Sequence, residues 1–323
     1  MPVEEVHHAL ASTVYALDAG CNQCKTDAEK LKSQGIEFGG RKTWMAMSVF
    51  LITGCSSGLG AEMAKVALER GFKVIATARR IETLQSLKEK GATVLPLDVT
   101  APPEELAAFA KSTWEIHGQI DYLVNNAGYL QSGAIEEHTP AEILTQFNTH
   151  VFGVINLTTA FLPFMRARKT GTLVNITSQN GCLSFPGTGI YSASKAALEL
   201  LSDTWSKELA EFGIRSIAIQ MGMHRTSVAK PTNIKRATGV PPGPPYVAST
   251  QAMDGYVAIA DSVTGDPAKA AQHIVDFVTQ TTELPLRLPM GDATFEGLRQ
   301  FYTERLADIE KHKSWSVGTD FTA

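Results

Sequence analysis

The chain has 323 residues, 44% of them hydrophobic, enough for one large α/β domain or two smaller ones with a sizeable core. A formal net charge of −4 with no lysine or arginine run argues against a general nucleic-acid binder, and no stretch is long and apolar enough to cross a membrane. Four cysteines and an acidic, polar start without a secretory signature point to a reducing, cytoplasmic setting and away from a disulfide scaffold.

Residues 1–47 read differently from the rest. They are expected to be a mobile N-terminal extension with a helix over 4–18, or the product of an upstream start codon. Cys21 and Cys24 form one C-x-x-C, but no second Cys or His pair follows at finger spacing, and the strand–helix setting of a redox motif is missing. These thiols, like His7 and His8, are read as incidental, and no metal site is expected.

The main domain is predicted to span 48–323. It opens with a buried parallel strand over 48–53 that runs into a glycine-rich turn. A helix over 59–70, a strand over 73–77, a helix over 81–90 and a strand over 93–97 follow, with Gly71 and Gly91 as helix stops. Pro102 and Pro103 start a helix over 103–117, and 121–125 is the next strand. Thr139-Pro140 opens a long helix carrying Ile143, Phe147, Val151, Ile155 and Leu162 at helical spacing. A strand over 172–177, a helix over 191–212 and a sixth strand over 214–220 complete an alternation that predicts a doubly wound parallel sheet of Rossmann type. The prolines at 231, 241, 242, 244 and 245 exclude a regular element from 222–249, which is read as a substrate lid leaving the sixth strand. A helix over 267–280, a short strand near 286–288 and a helix over 293–311 end the chain.

Two motifs carry chemistry. The turn Thr53-Gly54-Cys55-Ser56-Ser57-Gly58-Leu59-Gly60 follows a strand and opens a helix, the context in which backbone amides and a helix dipole seat a pyrophosphate. Gly54 permits the sharp turn, Gly58 the approach to phosphate and Gly60 close helix packing. At the end of the second strand stand Arg79 and Arg80 where an NAD site would need an acid, so Arg79, helped by Ser57, is expected to pair with the 2′-phosphate of NADP. Far downstream, Tyr191 and Lys195 stand four positions apart, one helical turn. A cation beside a phenol favours its ionised form, which predicts proton exchange nearer neutrality than the usual ~10. A dinucleotide cradle with a proton donor implies hydride transfer.

These residues resemble the short-chain dehydrogenase/reductase family over nearly everything from residue 48 to the C-terminal helix. By that resemblance Asp98, in Leu97-Asp98-Val99, contacts the adenine. Asn126, in Asn125-Asn126-Ala127-Gly128, lines the cofactor site. Ser178 orients the substrate carbonyl, Tyr191 gives its proton to the substrate oxygen, and Lys195 holds the ribose hydroxyls and lowers the tyrosine pKa. Thr226 contacts the carboxamide of the nicotinamide.

Two departures from the family pattern stand out. His150 replaces an asparagine that anchors a water in a proton relay, leaving a working substitute and an impaired site both open. Met221-Gly222 replaces a Pro-Gly turn. The chain is similar to members acting on steroids, retinoids, acyl lipids or specialised metabolites. Met221, Met223, Val240, Tyr246 and Val247 are expected to supply apolar lid contacts. The resemblance therefore implies an NADPH-dependent ketone or aldehyde reductase that forms dimers or tetramers. Alternatives are a cofactor-binding protein with little turnover, and use of Tyr191 for dehydration or epimerisation.

Overall fold

The computed structural model describes residues 48–226, 233–239 and 246–321. The expectations for the N-terminal extension, Cys21, Cys24, Val240 and the prolines at 231, 241, 242, 244 and 245 lie outside the described residues. Seven parallel strands form one sheet: β1 (Val49–Ile52), β2 (Lys73–Ala78), β3 (Thr93–Pro96), β4 (Tyr122–Asn125), β6 (Gly171–Ser178), β7 (Ile214–Met221) and β9 (Arg287–Met290), in the spatial order β3-β2-β1-β4-β6-β7-β9. β1, β4 and β6 are buried along their whole length because helices cover both faces, which is why they read as unbroken apolar runs.

Among the described residues the helices are α1 (Gly58–Glu69), α2 (Gln85–Glu89), α3 (Pro103–His117), α4 (Pro140–Phe147), α5 (Gly153–Arg168), α6 (Gly189–Glu208), α7 (Val247–Ile259), α8 (Pro267–Gln280), α9 (Asp292–Lys311) and the single turn α10 (Lys313–Ser316). α1 packs with α8, and α3 with α5. Val49, Leu51, Leu123, Leu157, Phe161, Leu198 and Trp205 belong to one core cluster, so the Trp205 side of α6 is interior. Local signals set the starts of the helices. Thr139 and Glu142 cap one another's backbone amides at α4 (3.2 and 2.9 Å), and Asp266 accepts from two amides at α8.

The long helix predicted after Thr139 is interrupted. Between α4 and α5 one wider turn, Asn148–Phe152, has π geometry and carries His150. The prolines also excluded less than expected. Each restricts only itself and the residue before it, and the proline-free stretch 233–239 contains β8 (Ile234–Arg236). β8 pairs in parallel with β5 (Leu130–Ser132), a strand the alternation did not foresee, and α7 begins at Val247, inside the stretch read as irregular.

Polar groups thread the centre of the sheet. Asn125 Nδ2 donates to Asn175 Oδ1 (2.9 Å) and to Thr158 Oγ1 (3.2 Å), and Asn175 Nδ2 donates to Ser202 and Ser216 (3.0 and 3.3 Å). All five residues are essentially inaccessible, so these bonds replace water for side chains that would otherwise be costly to bury. Among the described residues no helix is long and apolar enough to cross a membrane.

Candidate active site

The order of the sheet reverses between β1 and β4, the position at which open α/β sheets bind ligands at their carboxyl ends. A cavity of about 900 Å³ lies there. Its lining includes every predicted site residue: Gly54, Ser56, Ser57, Gly58, Leu59 and Gly60 from the turn, then Arg79, Asp98, Asn126, His150, Ser178, Tyr191, Lys195 and Thr226.

The turn is built for close approach. Gly54 adopts φ +72°, and a Cβ there would lie 2.8 Å from Ala127 Cα. A Cβ on Gly60 would meet the Asn126 amide and come within 2.6 Å of the Gly54 carbonyl oxygen. Asn126 locks the turn by donating through Nδ2 to the Thr53 carbonyl (2.7 Å), while its own N–H and that of Ala127 donate to Thr53 Oγ1 (2.9 and 3.0 Å). Replacing Gly60 by alanine forces this backbone apart at a cost of about 1–3 kcal/mol. The expected result is a lower Tm and NADPH affinity weakened by about tenfold or more, read by fluorescence titration. The exposed Arg79 follows β2 and lines the cavity, and Asp98 is held by Thr100 through its amide and hydroxyl (2.9 and 2.7 Å).

Ser178 closes β6, where Oγ donates to the Met221 carbonyl (3.3 Å) and accepts from the Asn180 N–H (3.2 Å). Tyr191 sits in the first turn of α6, and Lys195 one turn later, with Nζ donating to the Ile176 carbonyl (2.9 Å) and standing 5.9 Å from the Tyr191 ring centroid. The charge pattern differs from expectation. Burial pushes the Tyr191 phenol up to about 12, against a hydrogen bond with Ser178 that lowers it. Burial also draws Lys195 down to about 8, with Glu199 opposing. Desolvation is the larger effect on the phenol, and the Ser178 hydrogen bond only partly offsets it. Tyr191 keeps its proton throughout the neutral range, the state a proton donor needs.

His150 is 1% exposed, and burial first, then Lys195, hold its imidazolium pKa well below the usual range. Behind Lys195 lies a group the sequence reading missed. The fully buried Glu199 accepts from Arg287 Nη1 (2.7 Å), and Arg287 also grips Asp203 (2.7 Å). Glu199 was findable, four residues after Lys195 on the same helix face. Arg287 was not, because only the β7–β9 pairing brings it near.

The outer wall is apolar, with Leu130, Phe185, Met221, Met223, Met253 and Ile259. Of the expected lid contacts Met221 and Met223 line the cavity, whereas Tyr246 and Val247 do not. Their place is taken by the face of α7 that carries Met253, Tyr256 and Ile259.

Residues 48–237 match the family model described as short chain dehydrogenase. An uncharacterized oxidoreductase, YusZ, of Bacillus subtilis is 34% identical over 256 residues, covering 76% of this chain and 90% of that protein. A 3-ketodihydrosphingosine reductase of Bacteroides thetaiotaomicron is 36% identical over 196 residues, 60% of this chain and 71% of that protein. A short-chain dehydrogenase structure from Streptomyces avermitilis superposes with TM-score 0.77 at 38% identity, covering 84% of this chain and 98% of that one. One from Sphingobium yanoikuyae in complex with NADPH gives 0.60 at 25% identity, covering 81% and 96%. The glycine turn at the switch point, the Ser–Tyr–Lys cluster beside it and these matches lead to one conclusion: the chain belongs to the short-chain dehydrogenase/reductase family and is an oxidoreductase.

Proposed function

We propose that this oxidoreductase reduces the carbonyl of a fairly apolar small metabolite with NADPH. The observation that carries the reading is one cavity lined by Ser178, Tyr191 and Lys195, by the glycine turn and Arg79, and by the apolar side chains Leu130, Phe185, Met221, Met223, Met253 and Ile259. The turn fits a dinucleotide because Gly54 and Gly60 leave room where any Cβ would collide with backbone. Arg79, with no acid beside it in Thr77-Ala78-Arg79-Arg80, suits the extra phosphate of NADP, and the NADPH complex of the Sphingobium relative supports the choice. The substrate class rests on the apolar wall and on the relative named for reducing a sphingoid ketone. The family match begins at residue 48, which supports reading 48–323 as the catalytic domain.

A bound NADPH would supply the hydride. Tyr191 donates its Oη proton to the substrate oxygen, so that carbonyl carbon and oxygen each gain one hydrogen. Ser178 donates a hydrogen bond to that oxygen as charge grows on it, and the Lys195 ammonium stabilises the phenolate left on Tyr191. The NADP signal favours the reductive direction.

NADPH oxidation assayed with a panel of hydrophobic ketones and aldehydes tests the reading, and no turnover of any would overturn it in favour of a cofactor-binding role. Arg79→Ala is expected to weaken NADPH binding about tenfold, roughly 1.4 kcal/mol, and to leave NADH binding nearly unchanged. Equal losses for both nucleotides would remove the 2′-phosphate assignment.

A further inference from the structure

His150 stands where the family's relay asparagine would be, yet its surroundings describe a different task. Ser194 Oγ spends its proton on the Tyr191 carbonyl (2.7 Å), so at the 3.0 Å contact with His150 Nδ1 it is the acceptor. This places the imidazole proton on Nδ1. Nε2 then accepts from the Tyr129 N–H (3.2 Å). The Gln146 side-chain amide lies 3.0 and 3.1 Å from the two ring nitrogens, and its own oxygen is fixed by the Gln131 N–H (2.9 Å). The neutral Nδ1–H tautomer satisfies the Ser194 and Tyr129 contacts and leaves Nε2 (3.1 Å) as the ring nitrogen that can accept from the Gln146 amide, the 3.0 Å approach to Nδ1 being donor to donor. The ring also meets Tyr191 edge-on, at 5.6 Å between centroids and 75° between planes.

Two backbone features make the arrangement possible. The π turn widens the helix at His150, and Gly128 clears the loop, since a Cβ there would lie 2.7 Å from Nε2. From these contacts we infer that His150 is a positioning residue for Tyr191: it ties the first turn of α6, through Ser194, to the Tyr129 segment and α4. The inference rests on Tyr191 acting as the proton donor. It differs from a water relay in naming Ser194 as the element through which His150 works.

Side-chain geometry supplies the test. Asparagine places an amide donor near the position of Nδ1, whereas glutamine places one near Nε2. His150→Gln and Ser194→Ala are each expected to lower kcat ten- to a hundredfold, on the order of what a misplaced reacting group costs. KM and the NADPH dissociation constant should stay within about twofold. The double variant should be no worse than either single one, and His150→Asn should recover most of the loss. Hydrogen exchange supplies a readout independent of turnover: amides of 189–195 should exchange faster in His150→Gln and Ser194→Ala than in the wild type. Ser194→Ala fits a helix interior without strain, so its outcome does not depend on refolding. The inference is overturned if Ser194→Ala leaves both kcat and exchange at wild-type values, or if the two losses multiply. A wild type that reduces no carbonyl would instead defeat the proposed function, while exchange would still decide whether His150 and Ser194 hold α6.

Discussion

Tyr191→Phe is expected to lower the rate of carbonyl reduction by about a thousandfold while leaving NADPH binding within a few-fold of wild type. Only the hydroxyl is removed, and the ring that packs against His150 and beneath the cavity remains. A positioned general acid contributes about 10² to 10⁴ in rate, so the middle of that range corresponds to about 4 kcal/mol of barrier. The loss should fall on kcat, because the proton moves as charge develops on the substrate oxygen and adds little to ground-state binding. Steady-state kinetics with one responsive ketone, beside a fluorescence titration with NADPH, separates the two. Equal turnover by wild type and variant would remove Tyr191 from the mechanism.

The second large effect has opposite signs in activity and stability. Lys195→Met should abolish most turnover and yet give a more stable protein at neutral pH. Lys195 is 6% exposed, and its pKa falls from an ordinary 10.5 to about 8 because burial disfavours the charged form. That gap corresponds to about 3 kcal/mol. Since the folded pKa lies below the unfolded one, the unfolded chain binds more protons between pH 8 and 10.5, and wild-type stability climbs with pH across that window. Below about pH 8 the penalty is present in full. Methionine fills a similar volume without charge, but it gives up the Nζ bond to the Ile176 carbonyl, so a net gain of about 1–3 kcal/mol is expected at pH 7. The gain should shrink toward pH 10. Thermal melts without nucleotide at pH 7 and 9.5 measure it, and a variant less stable than wild type at pH 7 would show that the site welcomes the charge. The same titration predicts that reduction by the wild type declines as pH rises through about 8, when the cation facing Tyr191 is lost. Lys195→Arg should move that decline upward.

Much of this architecture is visible in the primary structure because its signals are local. Val49–Ile52 is uniformly apolar since both faces are covered, and Thr139, Pro140 and Glu142 announce the start of a helix through their own bonding. Tyr191 and Lys195 could be paired from their one-turn spacing on α6, whereas Ser178 was reached only through the family resemblance. What escaped depends on partners distant in sequence. β8 is a strand only because Leu130–Ser132 offers an edge, and Arg287 meets Glu199 only after β9 joins β7. The direction of the Tyr191 pKa escaped for another reason. Spacing reports that a cation is near, but the degree of desolvation, which decides the sign, exists only in the folded cavity.

The amide and hydroxyl thread from Asn125 through Asn175 to Ser202 and Ser216 bears on assembly as well as on burial. An apolar ladder tolerates strands sliding past one another, since one branched side chain substitutes for the next. Here a shift of β6 by one residue would turn the Asn175 amide to the opposite face and strand both asparagines without partners. Asn125 adjoins the residue that clamps the glycine turn, and Asn175 lies three positions before Ser178. The thread therefore works as an alignment key: when it closes, the phosphate cradle and the carbonyl-binding hydroxyl are brought level, and a misaligned sheet is rejected before it can present an active site.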